Sequence, residues 1–144
     1  MLSKLIIAFS LMALCVAIHG MGLIAGVRRI RSRYASRTLD FRASAGKLVR
    51  IASWTVFLHL LQILVWALFY ALRGAMPDFQ TAAYFSAVTY TTTGYGDLVL
   101  PPEWRLVGGV EALTGILMCG LSTGMFFAVF SDIFGLDRQS EPSA

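Results

Sequence analysis

Two glycines separated by one residue, Gly94 and Gly96, sit in the run Thr92-Thr93-Gly94-Tyr95-Gly96-Asp97. Glycine takes backbone conformations closed to other L-residues. At alternate positions it lets the carbonyl oxygens of successive residues turn to one side. Four such strands around an axis would make a stack of oxygen rings able to replace the hydration shell of a cation. No other constellation in the chain suggests chemistry. His19 and His59 lie in apolar stretches with no Cys, Asp or Glu at ligand spacing, so no catalytic centre and no cofactor is expected. Cys15 and Cys119 also fall in apolar stretches and read as small buried hydrophobes, without disulfide or metal-site spacing.

Backbone of this kind needs elements that hold it. The chain has 144 residues, 57% apolar and 14% charged, far fewer charges than the quarter usual in soluble domains. Eight of its 12 Lys and Arg fall within residues 28–50 (Arg28, Arg29, Arg31, Arg33, Arg37, Arg42, Lys47 and Arg50), opposed there by Asp40 alone. That cluster sits between two apolar stretches, which favours a membrane surface over nucleic acid. Residues 1–27 are read as an N-terminal transmembrane helix. A signal peptide would instead want its positive charge ahead of the apolar run. Gly22 and Gly26, four apart, offer a face for close helix packing.

Residues 28–50 are read as a basic cytoplasmic linker, either an interfacial helix or an irregular loop. Lys- and Arg-rich loops stay inside, which places the N-terminus outside and the C-terminus in the cytoplasm. An outer helix is expected over 51–72, with Trp54, Trp66 and Tyr70 as interfacial anchors. His59 and Gln62 share one face of it, suited either to interhelical hydrogen bonds or to proton sensing. Asp78 is placed to cap a helix over 79–91, whose 13 residues are too few to span. Pro101 and Pro102 exclude helix interior before the inner helix, 105–134. Residues 135–144 form a short tail. The expected fold is an all-α membrane protein with three transmembrane helices, a re-entrant pore helix and a filter loop over 92–97.

Non-helical backbone at membrane depth must be buried in protein or line a water-filled path. In that setting Thr92-Thr93-Gly94-Tyr95-Gly96-Asp97 resembles the potassium-channel signature Thr-Val-Gly-Tyr-Gly-Asp. Outer helix, pore helix, signature and inner helix follow in the family's order and spacing, over about residues 51–134. The first 50 residues look like the extra N-terminal helix of some small bacterial relatives. The resemblance implies a homotetramer in a bacterial plasma membrane, conducting K+ passively. Carbonyls of Thr92, Thr93, Gly94 and Tyr95 would bind K+, with the Thr92 hydroxyl as innermost ligand. Gly96 would permit the exit turn, Tyr95 would brace the filter from behind, and Asp97 would gather cations at the mouth.

Departures from the family pattern bear on the filter's support. Thr93 stands for the usual valine and brings a hydroxyl that needs a partner. Val88 stands where the best-known bacterial two-helix channel has a bracing glutamate, and Tyr84 where many relatives have tryptophan, its hydroxyl within reach of Asp97. A further departure is Glu111, inside the inner helix. The same alignment turns Ile116, Cys119, Thr123 and Phe127 toward a cavity. Glu111 lies roughly 120° from that stripe, facing the back of the pore helix. It is expected either to brace the filter through Thr89, Tyr90 or Thr93, or to be a protonated structural glutamate. Gly115 falls at the family's gating hinge and is equally a packing glycine. Phe127 and Phe130 either narrow the inner mouth or simply pack.

Two other functions are compatible with these residues: a weakly selective cation channel, if Thr93 loosens the filter, and a non-conducting regulatory subunit. Anionic lipid is the partner expected at residues 28–50. No arginine-repeat voltage sensor is read, and no ligand-binding domain after Phe134.

Overall fold

A computed structural model describes residues 2–34 and 41–134. The order is α1 (Leu2–Tyr34), α2 (Phe41–Leu72), α3 (Phe79–Tyr90), one 3-10 turn (Pro102–Trp104) and α4 (Arg105–Phe134). Among the described residues three stretches are long and apolar enough to cross a membrane: Leu2–Arg29, Ser44–Leu72 and Pro102–Ser131. The 12 residues of α3 reach only about 18 Å, short of a hydrocarbon core of about 30 Å.

Hydropathy misjudges two boundaries. Residues 28–50, expected as a linker, are largely helix: α1 continues to Tyr34 and α2 already begins at Phe41. Neither stretch holds a proline, and Arg and Lys are good helix formers, so both helices run on past their apolar spans.

The helices α1 and α4 run parallel, with α2 antiparallel to both. At one end the Lys4 ammonium lies 4.2 Å from the centroid of the Trp104 ring, which also meets Phe69 edge-on at 5.6 Å. Further along, His19 of α1 meets Ser122 of α4. The small face of α1 seats α2 closely: a Cβ on Gly22 would strike Leu58, and one on Gly26 would come within 2.9 Å of the Trp54 indole. That indole donates to the Gly22 carbonyl at 2.9 Å.

Trp66 and Tyr70, expected at the membrane interface, are fully buried. Tyr70 faces the back of α3, where it meets Phe85 edge-on at 5.4 Å, and Trp66 lies beside it with ring centroids 6.2 Å apart. Around them Ala67, Ala82, Tyr90, Val107, Val110 and Met118 join Ala8 and Cys15 of α1 in a core shared by all four helices. Small residues let these helices approach, and close packing rather than water exclusion holds such a core in lipid.

Both ends of the α2–α3 connection are capped. At its start, Ala75 N–H bonds the Tyr70 carbonyl and Gly74 N–H that of Ala71, with Gly74 left-handed at φ 62°. At its end Asp78 accepts from Thr81 N–H at 2.8 Å and from the Thr81 hydroxyl at 2.9 Å. Those two bonds hold the Asp78 carboxyl below the ordinary carboxylate range.

Candidate ion-coordinating site

The loop after α3 begins as a helix cap. Thr92 N–H bonds the Thr89 carbonyl at 2.9 Å and Thr93 N–H bonds that of Val88 at 3.0 Å. This is the pattern that ends α2, but here a threonine occupies the left-handed position, with φ 58°. A β-branched residue at positive φ is a genuine outlier, costing on the order of 1–3 kcal/mol. Gly94 N–H also reaches back to the Val88 carbonyl, at 3.3 Å. The N–H groups from Thr91 to Gly94 are thus all turned toward α3.

Backbone handedness then alternates. Thr92, Gly94 and Gly96 have φ of 58°, 55° and 78°, while Thr93 and Tyr95 do not share the positive sign. Alternation of this kind turns successive peptide planes so that their carbonyls can share one side. Every residue from Thr91 to Asp97 is exposed in the single chain, and Tyr95 keeps 71% of its surface open.

Support from behind is now specified. The Thr93 hydroxyl lies 2.9 Å from that of Thr91, which donates to the Ala87 carbonyl at 2.7 Å. Tyr84 donates to Asp97 at 2.7 Å, the contact its place in α3 suggested. That bond to a carboxylate raises the Tyr84 phenol above its ordinary value of 10.0.

Glu111 is fully buried and faces the back of α3, although not the residues anticipated. Neither Thr89, Tyr90 nor Thr93 is its partner. Ser86 donates to one carboxyl oxygen and Tyr70 donates to the other at 2.8 Å. The helical angle found the right face, but Ser86 lies one turn up α3 and Tyr70 comes from α2.

Gly115 meets the end of α3 backbone to backbone. A Cβ there would overlap the Tyr90 carbonyl, whereas one on Gly120 or Gly124 would meet nothing within 4 Å. Gly115 therefore has a packing role whatever bending it allows.

Ile116, Cys119, Thr123 and Phe127 lie on α4 with their side chains exposed, Ile116 at 58% and Phe127 at 66%. Cys119 is therefore not the buried hydrophobe expected within its own chain, whereas Cys15 is. Phe130 is open at 36%.

Sequence reasoning missed the partners of the two histidines. His19, His59, Gln62, Tyr90 and Ser122 form one connected set of hydrogen bonds across all four helices. The pairing of His59 with Gln62 on one face hinted at such bonds. Polar Ser122 in an apolar helix was the unused signal. Among the described residues no group of three or more His, Cys, Asp or Glu could hold a metal ion.

Three candidate spans, a short helix docked against them and a loop of alternating hand define an integral membrane pore protein. Residues 53–132 match the family model described as "Ion channel". This is more than half of the chain, and the protein belongs to that ion channel family; it is not an enzyme. It is similar to the potassium voltage-gated channel protein Shal of Drosophila melanogaster, 32% identical over 95 residues. The alignment covers 60% of this chain and only 16% of Shal. No solved structure matches the chain.

Proposed function

We propose that the protein is one subunit of a homotetrameric, potassium-selective channel. The observation that carries this is the alternating hand of Thr92, Gly94 and Gly96 in a loop whose N–H groups bond back to α3. With the amides so engaged, the carbonyls of Thr92, Thr93, Gly94 and Tyr95 are free to ligate K+, which suits a hard cation stripped of water. One chain supplies one strand and leaves it exposed, so three further copies complete the rings. Similarity to a potassium channel over 60% of the chain supports the choice of ion.

In this assembly the C-terminus of α3 points its negative end at the cavity and favours a cation there. Ile116, Cys119, Thr123 and Phe127 line the cavity. Glu111, tied to Ser86 and Tyr70, holds α3 in place of an acid at Val88. Tyr84 keeps Asp97 at the mouth. The Lys- and Arg-rich ends of α1 and α2 face the cytoplasm, where anionic lipid headgroups meet them.

Purified protein in liposomes tests the proposal. Potassium efflux that barium blocks, with little sodium efflux, is expected. Equal fluxes of the two ions would instead indicate a weakly selective cation pore, and no flux under any condition a non-conducting subunit.

A further inference from the structure

Tyr90, the last residue of α3, is held at two points. Its carbonyl lies where a Cβ on Gly115 would stand, so its backbone already abuts α4. Its ring is buried, and its hydroxyl donates to Gln62 Oε1 at 2.6 Å and lies 3.0 Å from His59 Nδ1. The last turn of α3 is set by these two contacts. Carbonyls of that turn, on Ala87, Val88 and Thr89, accept from the N–H groups of Thr91 to Gly94. A shift of Tyr90 therefore carries the start of the ion-coordinating loop with it.

Gln62 is fully buried, and its amide is held at both ends. One end takes Tyr90. The other lies 2.6 Å from His19 Nδ1 on α1. His19 is also fully buried, and its Nε2 lies 2.9 Å from Ser122 Oγ on α4. Ser122, His19, Gln62 and Tyr90 thus form a series of contacts with one residue from each helix. Turning the Gln62 amide over exchanges donor for acceptor at both ends, and both contacts remain. Without His19 the buried amide loses one partner, and it is free to turn from Tyr90 toward another.

The approach of α1 to α2 serves this contact. Gly22 follows His19 by three residues and so shares its face. A Cβ on Gly22 would strike Leu58, the residue before His59. Small residues alone would suffice to pack two helices in lipid. A histidine buried on the same face is costly unless its polar atoms find partners. Both of its nitrogens do, and one of them leads to the filter end of α3.

We infer that His19 is a positioning residue for the ion-coordinating loop, acting through Gln62 and Tyr90, so that α1 is part of the filter's support. This role rests on the channel function proposed above. A ring of carbonyls favours K+ only while it resists closing on the smaller Na+. His19 adds to that resistance by keeping Gln62 on Tyr90. The contribution is about one net hydrogen bond, or roughly fivefold in discrimination.

Two amide substitutions separate the two ring nitrogens. An asparagine amide falls near the place of imidazole Nδ1, and a glutamine amide near that of Nε2. His19→Asn therefore keeps a partner for Gln62 and gives up Ser122, whereas His19→Gln does the reverse. The full chain is reconstituted in bilayers of phosphatidylcholine and phosphatidylglycerol, with K+ on one side and Na+ on the other. The reversal potential then gives the permeability ratio, a property of each open pore that does not depend on how much protein assembles. The K+/Na+ ratio should fall roughly fivefold in His19→Gln and stay within about twofold of wild type in His19→Asn. Helix propensity alone ranks the two variants the other way, because glutamine is the better helix former. Tyr90→Phe keeps the ring, removes the hydroxyl and reads the same contacts from their far end. It should match the fall of roughly fivefold, and adding it to His19→Gln should lower the ratio no further. Equal ratios in His19→Asn and His19→Gln, a wild-type ratio in Tyr90→Phe, or a further fall in the double variant overturns the inference. Wild-type current reversing near zero overturns the channel reading instead, and the role of His19 with it.

Discussion

Glu111 on α4 accepts a 2.8 Å hydrogen bond from the Tyr70 hydroxyl on α2, and its other carboxyl oxygen takes the Ser86 hydroxyl on α3. One buried carboxyl thus joins the three helices that surround the filter's support. Glu111→Gln replaces one acceptor by a donor facing a hydroxyl. It should lower stability by about 1–3 kcal/mol and shorten the time over which potassium flux is sustained. Thermal unfolding in detergent and a flux time course read both. A variant matching the wild type in both would remove Glu111 from any bracing role.

Gly115 gives a sharper contrast. Gly115→Ala forces the end of α3 away from α4, because the atom it meets is the Tyr90 backbone carbonyl. Assembled channel and flux should both be lost, with a cost of at least about 1–3 kcal/mol for the overpacking. Gly120→Ala, with open space around it, should leave assembly intact. Size-exclusion chromatography separates the two. Equal tolerance would mean that α4 does not approach α3 as closely as described.

Thr93 has its hydroxyl partner in Thr91. Thr93→Val should therefore leave discrimination between potassium and sodium unchanged, with a loss of about 1 kcal/mol or less. Bi-ionic flux measurements decide this. A large gain in selectivity would show that the native threonine loosens the filter.

At the mouth, the Asp97 carboxylate raises the Tyr84 phenol above its ordinary value of 10.0. The group's folded pKa exceeds its unfolded one, so its contribution is complete below the unfolded value and is lost as pH rises through the folded value. Wild-type flux should hold through neutral pH and fall only in alkali above about 10. Tyr84→Phe should show lower flux already at neutral pH. Equal flux in the two proteins at neutral pH would remove the contact's role.

The loop was legible because two glycines at alternate positions constrain backbone directly, without reference to the rest of the fold. Asp78 as a cap and the Tyr84–Asp97 contact were legible because they are local, three and 13 residues apart. Glu111 was half legible: helix geometry fixed its face, but its partners depend on how α2 and α3 are rotated about their axes. His19 and Ser122 stand 103 positions apart on different helices, and no spacing rule brings them together. Trp66 and Tyr70 were misplaced because aromatic residues near a span's end serve lipid interface and helix core equally well.

The central claim is potassium selectivity, and it is tested most directly by the reversal potential of the purified channel in a planar bilayer with potassium on one side and sodium on the other. A reversal potential displaced far toward potassium equilibrium, with current abolished by barium, is the expected result. Current reversing near zero would contradict the claim.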